Sequence, residues 1–283
     1  MTTMDFNGGI SGVFFVESLS QGKTGRWIHE HIRPVLLQKQ LYSEATVRRA
    51  DDLDGLLQHF SEIASVVKQH RLAPAIQIDA HGSAEGIQLT DGTIVAWRDL
   101  ANPLRAINRA SKNRTFLCSS MCHGGHLSHI ALSQGGFNRS PYWGTIGPMA
   151  TLSAGELQDA FKAFWEHMLV REDAPAAIRE FQAAAGSTSF VQCEMLFGRI
   201  FMRYVLDAVL DPDGLDERVE RVHRESGGLA TKAWLRDRLA SLSALEAHYR
   251  EMHSRYLWID EFPDQESNYM MTFADACRLF PQG

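Results

Sequence analysis

Residues 114–125, R-T-F-L-C-S-S-M-C-H-G-G, constrain the fold more than any other stretch of the chain. A short apolar strand over 115–119 runs through the thiol of Cys122 into a glycine pair. An apolar run of that length, closed by turn residues, fits an interior strand of a parallel sheet. In open α/β sheets, ligands bind beyond the carboxyl ends of the strands. Cys122 therefore falls where such sheets do chemistry. The two glycines after His123 are expected to let the backbone turn sharply and approach a substrate. About forty positions earlier, A-P-A-I-Q-I-D-A-H-G-S reads as a second strand ending on His81 and Gly82. Two parallel strands, one delivering an imidazole and the other a thiol, would make a Cys–His pair.

The rest of the chain alternates in the same way. Residues 10–19 read as a first strand and 26–40 as a helix that Pro34 should kink or divide. A short strand over 45–50 precedes Asp51-Asp52, which looks like the cap of a helix. That helix carries Leu53, Leu56, Leu57, Phe60, Ile63, Ala64 and Val67 at helical spacing. Two short runs around Asp91-Gly92 signal a β-hairpin, followed by a helix over 97–110. A short helix over 127–133 leads to a Gly135-Gly136 loop and a strand over 142–146. Ser153 and Glu156 form a capping box, and Pro175 opens a further helix. Strand–helix alternation gives the α/β class with a mostly parallel sheet, and right-handed crossovers put helices on both faces.

From residue 187 onward the pattern is helical, over 188–210, 215–225 and 231–258. In the last of these, Leu235, Leu239, Leu242, Leu245, Tyr249, Met252 and Tyr256 make one apolar stripe. The expected organisation is an α/β domain over 1–186 with a C-terminal helical extension, 187–283, packed on it. The stripe could serve that packing or dock a regulatory protein.

A working thiol needs a reducing compartment, so the cysteines and the chain start matter next. Cys118, Cys122, Cys193 and Cys277 lack disulfide-framework spacing, and the start of the chain has no basic segment followed by an apolar one. A cytoplasmic location is the expectation. No apolar stretch approaches the ~20 residues of a membrane span, and a net charge of −6 argues against a nucleic-acid partner. Gly22-Lys23-Thr24 lacks the glycine five positions earlier that a phosphate loop needs, since Glu17 stands there.

At the two strand ends the parts of an acyl-transfer site are present. The thiolate is the nucleophile, and an imidazole can take the thiol proton and return it to a leaving amine. Backbone amides of Gly82 and Cys122 would hold the oxyanion. The competing reading is a metal site from Cys118, Cys122, His123 and His126, with His129 nearby, because zinc accepts Cys and His ligands. Its spacing lacks a second knuckle.

The pair I-D-A-H-G and S-S-M-C-H-G-G resembles the His-Gly and Cys-x-Gly motifs of the caspase-like cysteine peptidases: caspases, metacaspases and bacterial CHAT-type proteases. The caspase signature has Gln-Ala-Cys-x-Gly with its His some 50 residues upstream. The hairpin between the motifs and the run Y-W-G-T-I-G are similar to the CHAT-type arrangement. The likeness spans roughly 10–186. It implies a caspase-like fold and a cysteine endopeptidase acting on protein or peptide substrates without a cofactor. Cys122 would be the nucleophile and His81 the base. By analogy with bacterial relatives, activity could await a partner or signal. In metacaspases an Asp two before the Cys helps bind a basic side chain, and in caspases a Gln there works with arginines to bind Asp. Here the position is Ser120, so neither preference follows, and Arg26 or Lys23 could line the pocket. A non-catalytic scaffold of the same fold is the third reading, but it needs neither His81 nor Cys122.

Overall fold

A computed structural model describes residues 9–19, 24–131, 138–225 and 227–279. Lys23 and the Gly135-Gly136 loop lie outside them. The described residues form an α/β structure around a mixed, mostly parallel sheet with helices on both faces. At its centre β1 (Gly12–Ser18), β4 (Pro74–Gly82), β7 (Phe116–Ser120) and β8 (Gly144–Pro148) run parallel in that order. Two short pieces, β2 (Tyr42–Ser43) and β3 (Arg48–Arg49), pair parallel with β1. The hairpin of β5 (Gly86–Gln88) and β6 (Ile94–Ala96) grows antiparallel from the end of β4.

Period-two alternation sorts the strand side chains between two cores. Phe14, Val16, Ile76, Ile78 and Leu117 face α2 (Leu53–His70) and α3 (Ala101–Ala110). Val13, Phe15, Ala75, Phe116 and Cys118 face α1 (Thr24–Gln38), α4 (Ala154–Trp165) and α5 (Ala174–Ala185). Phe161, Phe164, Trp165 and Phe181 are fully buried in the second core. Each stabilises the layer by roughly 2–3 kcal/mol through burial alone. The helix starts follow the sequence signals. Asp52 accepts the Gly55 amide at 2.8 Å, and Ser153 with Glu156 closes a reciprocal capping box.

Four elements differ from the sequence expectation. The helix α1 runs undivided through Pro34. Pro34 is exposed, so the carbonyl it orphans can be hydrated, while buried Ile28, Ile32 and Leu36 hold both halves against the sheet. Of the expected strand over 45–50 only β3, Arg48–Arg49, is extended, and the other short piece, β2, lies before it at Tyr42–Ser43. Residues 188–192 are not helical: they form β9 (Thr188–Gln192), antiparallel to β8. Gly186 stops α5 at φ +69°, and Phe190 then packs on Phe116 with ring centroids 6.4 Å apart. The last long helix is two, α8 (Lys232–Ala240) and α9 (Leu242–Tyr256), because extended Ser241 caps the second by accepting from Ala244. Leu242, 71% exposed, therefore drops out of the apolar stripe.

The chain divides into two compact units, the second comprising Gly135–Arg139 and Cys193–Gly283. Among its described residues are α6 (Cys193–Val205), α7 (Pro212–Glu225), α8, α9 and α10 (Phe273–Leu279). An aromatic cluster of Phe197, Phe201, Tyr249 and Tyr256 joins α6 to α9. Leu215, Val219 and Leu235 join α7 to α8. No helix among the described residues is long and apolar enough to cross a membrane.

Candidate active site

The parallel register brings the two sequence motifs together. Asp79 on β4 lies opposite Ser120 on β7, and two residues further along the chain come His81, still in β4, and Cys122, in the turn after β7. The juxtaposition is tight: a Cβ on Gly82 would lie 2.1 Å from the Cys122 carbonyl oxygen and 2.9 Å from Met121 Cγ. Only glycine allows the His81 strand to approach the Cys122 turn this closely.

Side-chain positions at this rim are specific. The Cys122 thiol, half-buried, donates to the Leu152 carbonyl at 3.4 Å. His81 is exposed, and among the described residues its ring makes no hydrogen bond. The two groups are thus neighbours through their backbones but are not hydrogen-bonded to each other. Among the described residues the Cys122 amide donates to no carbonyl, whereas those of His123 and Gly124 are used by Ala150 (3.2 Å) and Met121 (3.1 Å). The sharp turn comes from His123 at φ +57°, not from the glycines. Its ring is braced by the Met149 carbonyl at 3.1 Å and Thr151 Oγ1 at 3.2 Å. Gly124 serves close packing instead, since a Cβ there would lie 2.7 Å from the Ser119 oxygen.

One step down the strands, on the α1 face, the register aligns Glu17, Asp79 and Ser120 across β1, β4 and β7. Their exposures are 5%, 0% and 2%. The Trp165 indole donates to Gln77 Oε1 at 2.8 Å. Because indole nitrogen only donates, this fixes the amide so that Gln77 Nε2 faces Asp79, at 3.3 and 3.2 Å from its two oxygens. The first turn of α1 covers the row. The Arg26 amide donates to Glu17 Oε2 at 3.3 Å, and a Cβ on Gly25 would sit 2.5 Å from Asp79 Oδ2. Burial pushes the Asp79 carboxyl up to about 8, opposed by the Ser120 hydroxyl and the Gln77 amide and reinforced by Glu17. Ser120 Oγ is near enough to favour the charged carboxyl, yet no hydrogen bond is formed, and it has no partner among the described residues.

Glu17 and Asp79 were missed by motif reasoning. The available signal was I-Q-I-D-A-H, in which Gln77, Asp79 and His81 occupy alternate positions and so share one face.

The other residues singled out by sequence lie elsewhere. Arg26 contributes its backbone amide to the row while its side chain is exposed. Cys118 is sealed in the α1-side core, and burial holds its thiol well above the ordinary range. It does not converge with Cys122, His123, His126 and His129. Among the described residues no group of three or more His, Cys, Asp or Glu side chains is placed to hold a metal ion. Cys193 is buried, and burial pushes the half-buried Cys277 thiol up. No protein-family model and no curated protein matches the chain.

Proposed function

We propose that the chain is a caspase-like cysteine endopeptidase. The observation that carries this reading is the contact of Gly82 with the Cys122 carbonyl, which joins a His-bearing and a Cys-bearing strand end at the carboxyl edge of a parallel sheet. In the proposed reaction His81 takes the proton from Cys122 Sγ, and the thiolate adds to the peptide carbonyl. The amides of Gly82 and Cys122 hold the resulting oxyanion. Collapse expels the amine, which takes the proton from His81 and leaves an acyl-thioester. Water, deprotonated by His81, then releases the acid and restores the thiol.

The hydrogen bond from Cys122 Sγ to Leu152 O supports a further element of the proposal: the thiol proton is held on a carbonyl until the loop carrying Leu152 shifts. Substrate or a partner moving that loop would free the thiol for His81. A pool of peptides incubated with the purified full chain tests the function. Cleavage by the wild type and none by Cys122→Ala is expected, and equal cleavage by both would overturn it.

A further inference from the structure

Residues 149–152, between β8 and α4, lie across the turn that carries Cys122, and each is tied to it. His123 donates its amide to the Ala150 carbonyl at 3.2 Å. Its Nδ1 stands 3.1 Å from the Met149 carbonyl oxygen and its Nε2 3.2 Å from Thr151 Oγ1. A carbonyl only accepts, so Nδ1 carries the proton and donates. Nε2 of the neutral ring is then left to accept from the Thr151 hydroxyl. The fourth tie is the Cys122 thiol on the Leu152 carbonyl at 3.4 Å. This strap is anchored at both ends. The Met149 amide donates to the Ser187 carbonyl at 2.8 Å, and Ser153 closes the capping box of α4. Among the described residues, the hydrogen bonds of residues 150–152 all go to Cys122 or His123.

The backbone shows that the imidazole is placed there at a cost. His123 holds φ +57°, a left-handed conformation that a side chain disfavours and glycine takes freely. Gly124 and Gly125 beside it both keep φ outside that region. The turn thus puts its strain on the residue that owns a ring, and strain of this kind gathers at functional sites. Both ring nitrogens are spent on the strap. We infer that His123 is a positioning residue: its ring clasps residues 149–152 over the Cys122 turn and so keeps the Leu152 carbonyl on the thiol. The inference rests on the peptidase reading for its purpose and names what restrains that site at rest. Thiolate is the reactive form of cysteine and has no proton to donate, so the Leu152 contact is made only by the unreactive form. Without the ring, the middle of the strap keeps one backbone bond, from His123 to Ala150, and the bond from the weak thiol donor. It then swings from its two ends and Leu152 leaves Sγ. Thr151 is exposed, so the clasp can be undone from outside.

The test is the alkylation rate of Cys122 by iodoacetamide in the full-length chain, read by peptide mass mapping. Cys277, in the other compact unit, is the internal reference. His123→Gly suits φ +57°, keeps the amide bond to Ala150 and removes both ring bonds. His123→Asn also tolerates that φ, and its side-chain amide can replace Nδ1 at Met149 without reaching Thr151. Thr151→Val removes only the outer partner. His123→Gly should raise the Cys122 rate at least about tenfold, and His123→Asn and Thr151→Val about threefold each, as fits the loss of two hydrogen bonds or one. Cys277 should not change. An unchanged Cys122 rate in His123→Gly assigns the residue to the turn alone and overturns the clasp. An equal rise at Cys277 marks general loosening and overturns it too. If His123→Gly does not fold, Thr151→Val decides, and an unchanged rate there overturns the clasp. Peptide hydrolysis is scored separately. Faster alkylation with no cleavage of any peptide keeps the clasp and sinks the peptidase reading. Cleavage that needs Cys122, with alkylation indifferent to His123, does the reverse.

Discussion

Two layers of one sheet edge differ in kind. At the rim, His81 is exposed and Cys122 half-buried, and the thiol rests on the Leu152 carbonyl rather than on the imidazole. One step below, Glu17, Asp79 and Ser120 are nearly or wholly buried, and Asp79 is bound through Gln77 to Trp165 in the core. The groups that would make and break bonds must move and exchange protons with a substrate. Those below are held by fixed neighbours, and a low-dielectric setting strengthens their polar contacts. The same strand supplies both layers, and its period of two links them.

The largest effect separates the layers by chemistry. Cys122→Ala should lower kcat at least about 10⁴-fold, and His81→Ala by about 10²–10⁴-fold, with little change in thermal stability. Rates with model peptides together with Tm check this. A large Tm loss in His81→Ala would make the rim a structural layer instead.

The buried layer should reveal itself in stability. Asp79 ionises near 3.9 when unfolded but at about 8 when folded. Between those values the folded chain holds a proton that the unfolded chain has lost. Its contribution is complete below about pH 4 and falls by about 1.4 kcal/mol per pH unit until about pH 8. The groups facing it are Glu17, Gln77, Cys118, Ser120 and Gly25 of α1. Asp79→Asn mimics the neutral acid, so its stability relative to wild type should rise steadily from pH 5 to pH 8 in urea denaturation. Parallel curves would place Asp79 outside the buried layer.

A third change strikes the seam between the strands. Gly82→Ala puts a methyl against the Cys122 carbonyl at 2.1 Å and should cost about 3 kcal/mol or more. A neutral denaturation midpoint would break the claimed contact of the two strand ends. The smallest effect concerns the loop that holds the thiol. Ser153→Ala removes the cap just after Leu152 and should cost about 1 kcal/mol. It should also raise the rate of peptide cleavage by loosening that loop. An unchanged rate would count against the loop as a restraint.

Local signals carried much of the fold. The caps at Asp52 and Ser153 and the hairpin at Asp91-Gly92 depend on neighbouring residues and could be read directly. His81 was legible near the end of its strand, and Cys122 stands in the turn two residues past the end of β7. What failed was either tertiary or masked by a stronger neighbour. The helical pattern of α6 absorbed the five residues of β9, although Gly186 and the run T-S-F-V-Q marked a strand. Ser241 broke the last helix without any Gly or Pro to announce it. The Glu17–Asp79–Ser120 row depends on inter-strand register between residues 62 positions apart in one case and 41 in the other, which no local pattern encodes.

The most direct measurement of the central claim is the alkylation rate of Cys122 compared with Cys277, read by peptide mass mapping across pH 5.5–8 in wild type and His81→Ala. Both thiols are half-buried, but burial already pushes the Cys277 thiol up, so the His81→Ala comparison is the arm that separates a dyad from burial. A dyad predicts that Cys122 reacts much faster near neutral pH and that His81→Ala removes the advantage. Equal rates that His81→Ala leaves unchanged would contradict it.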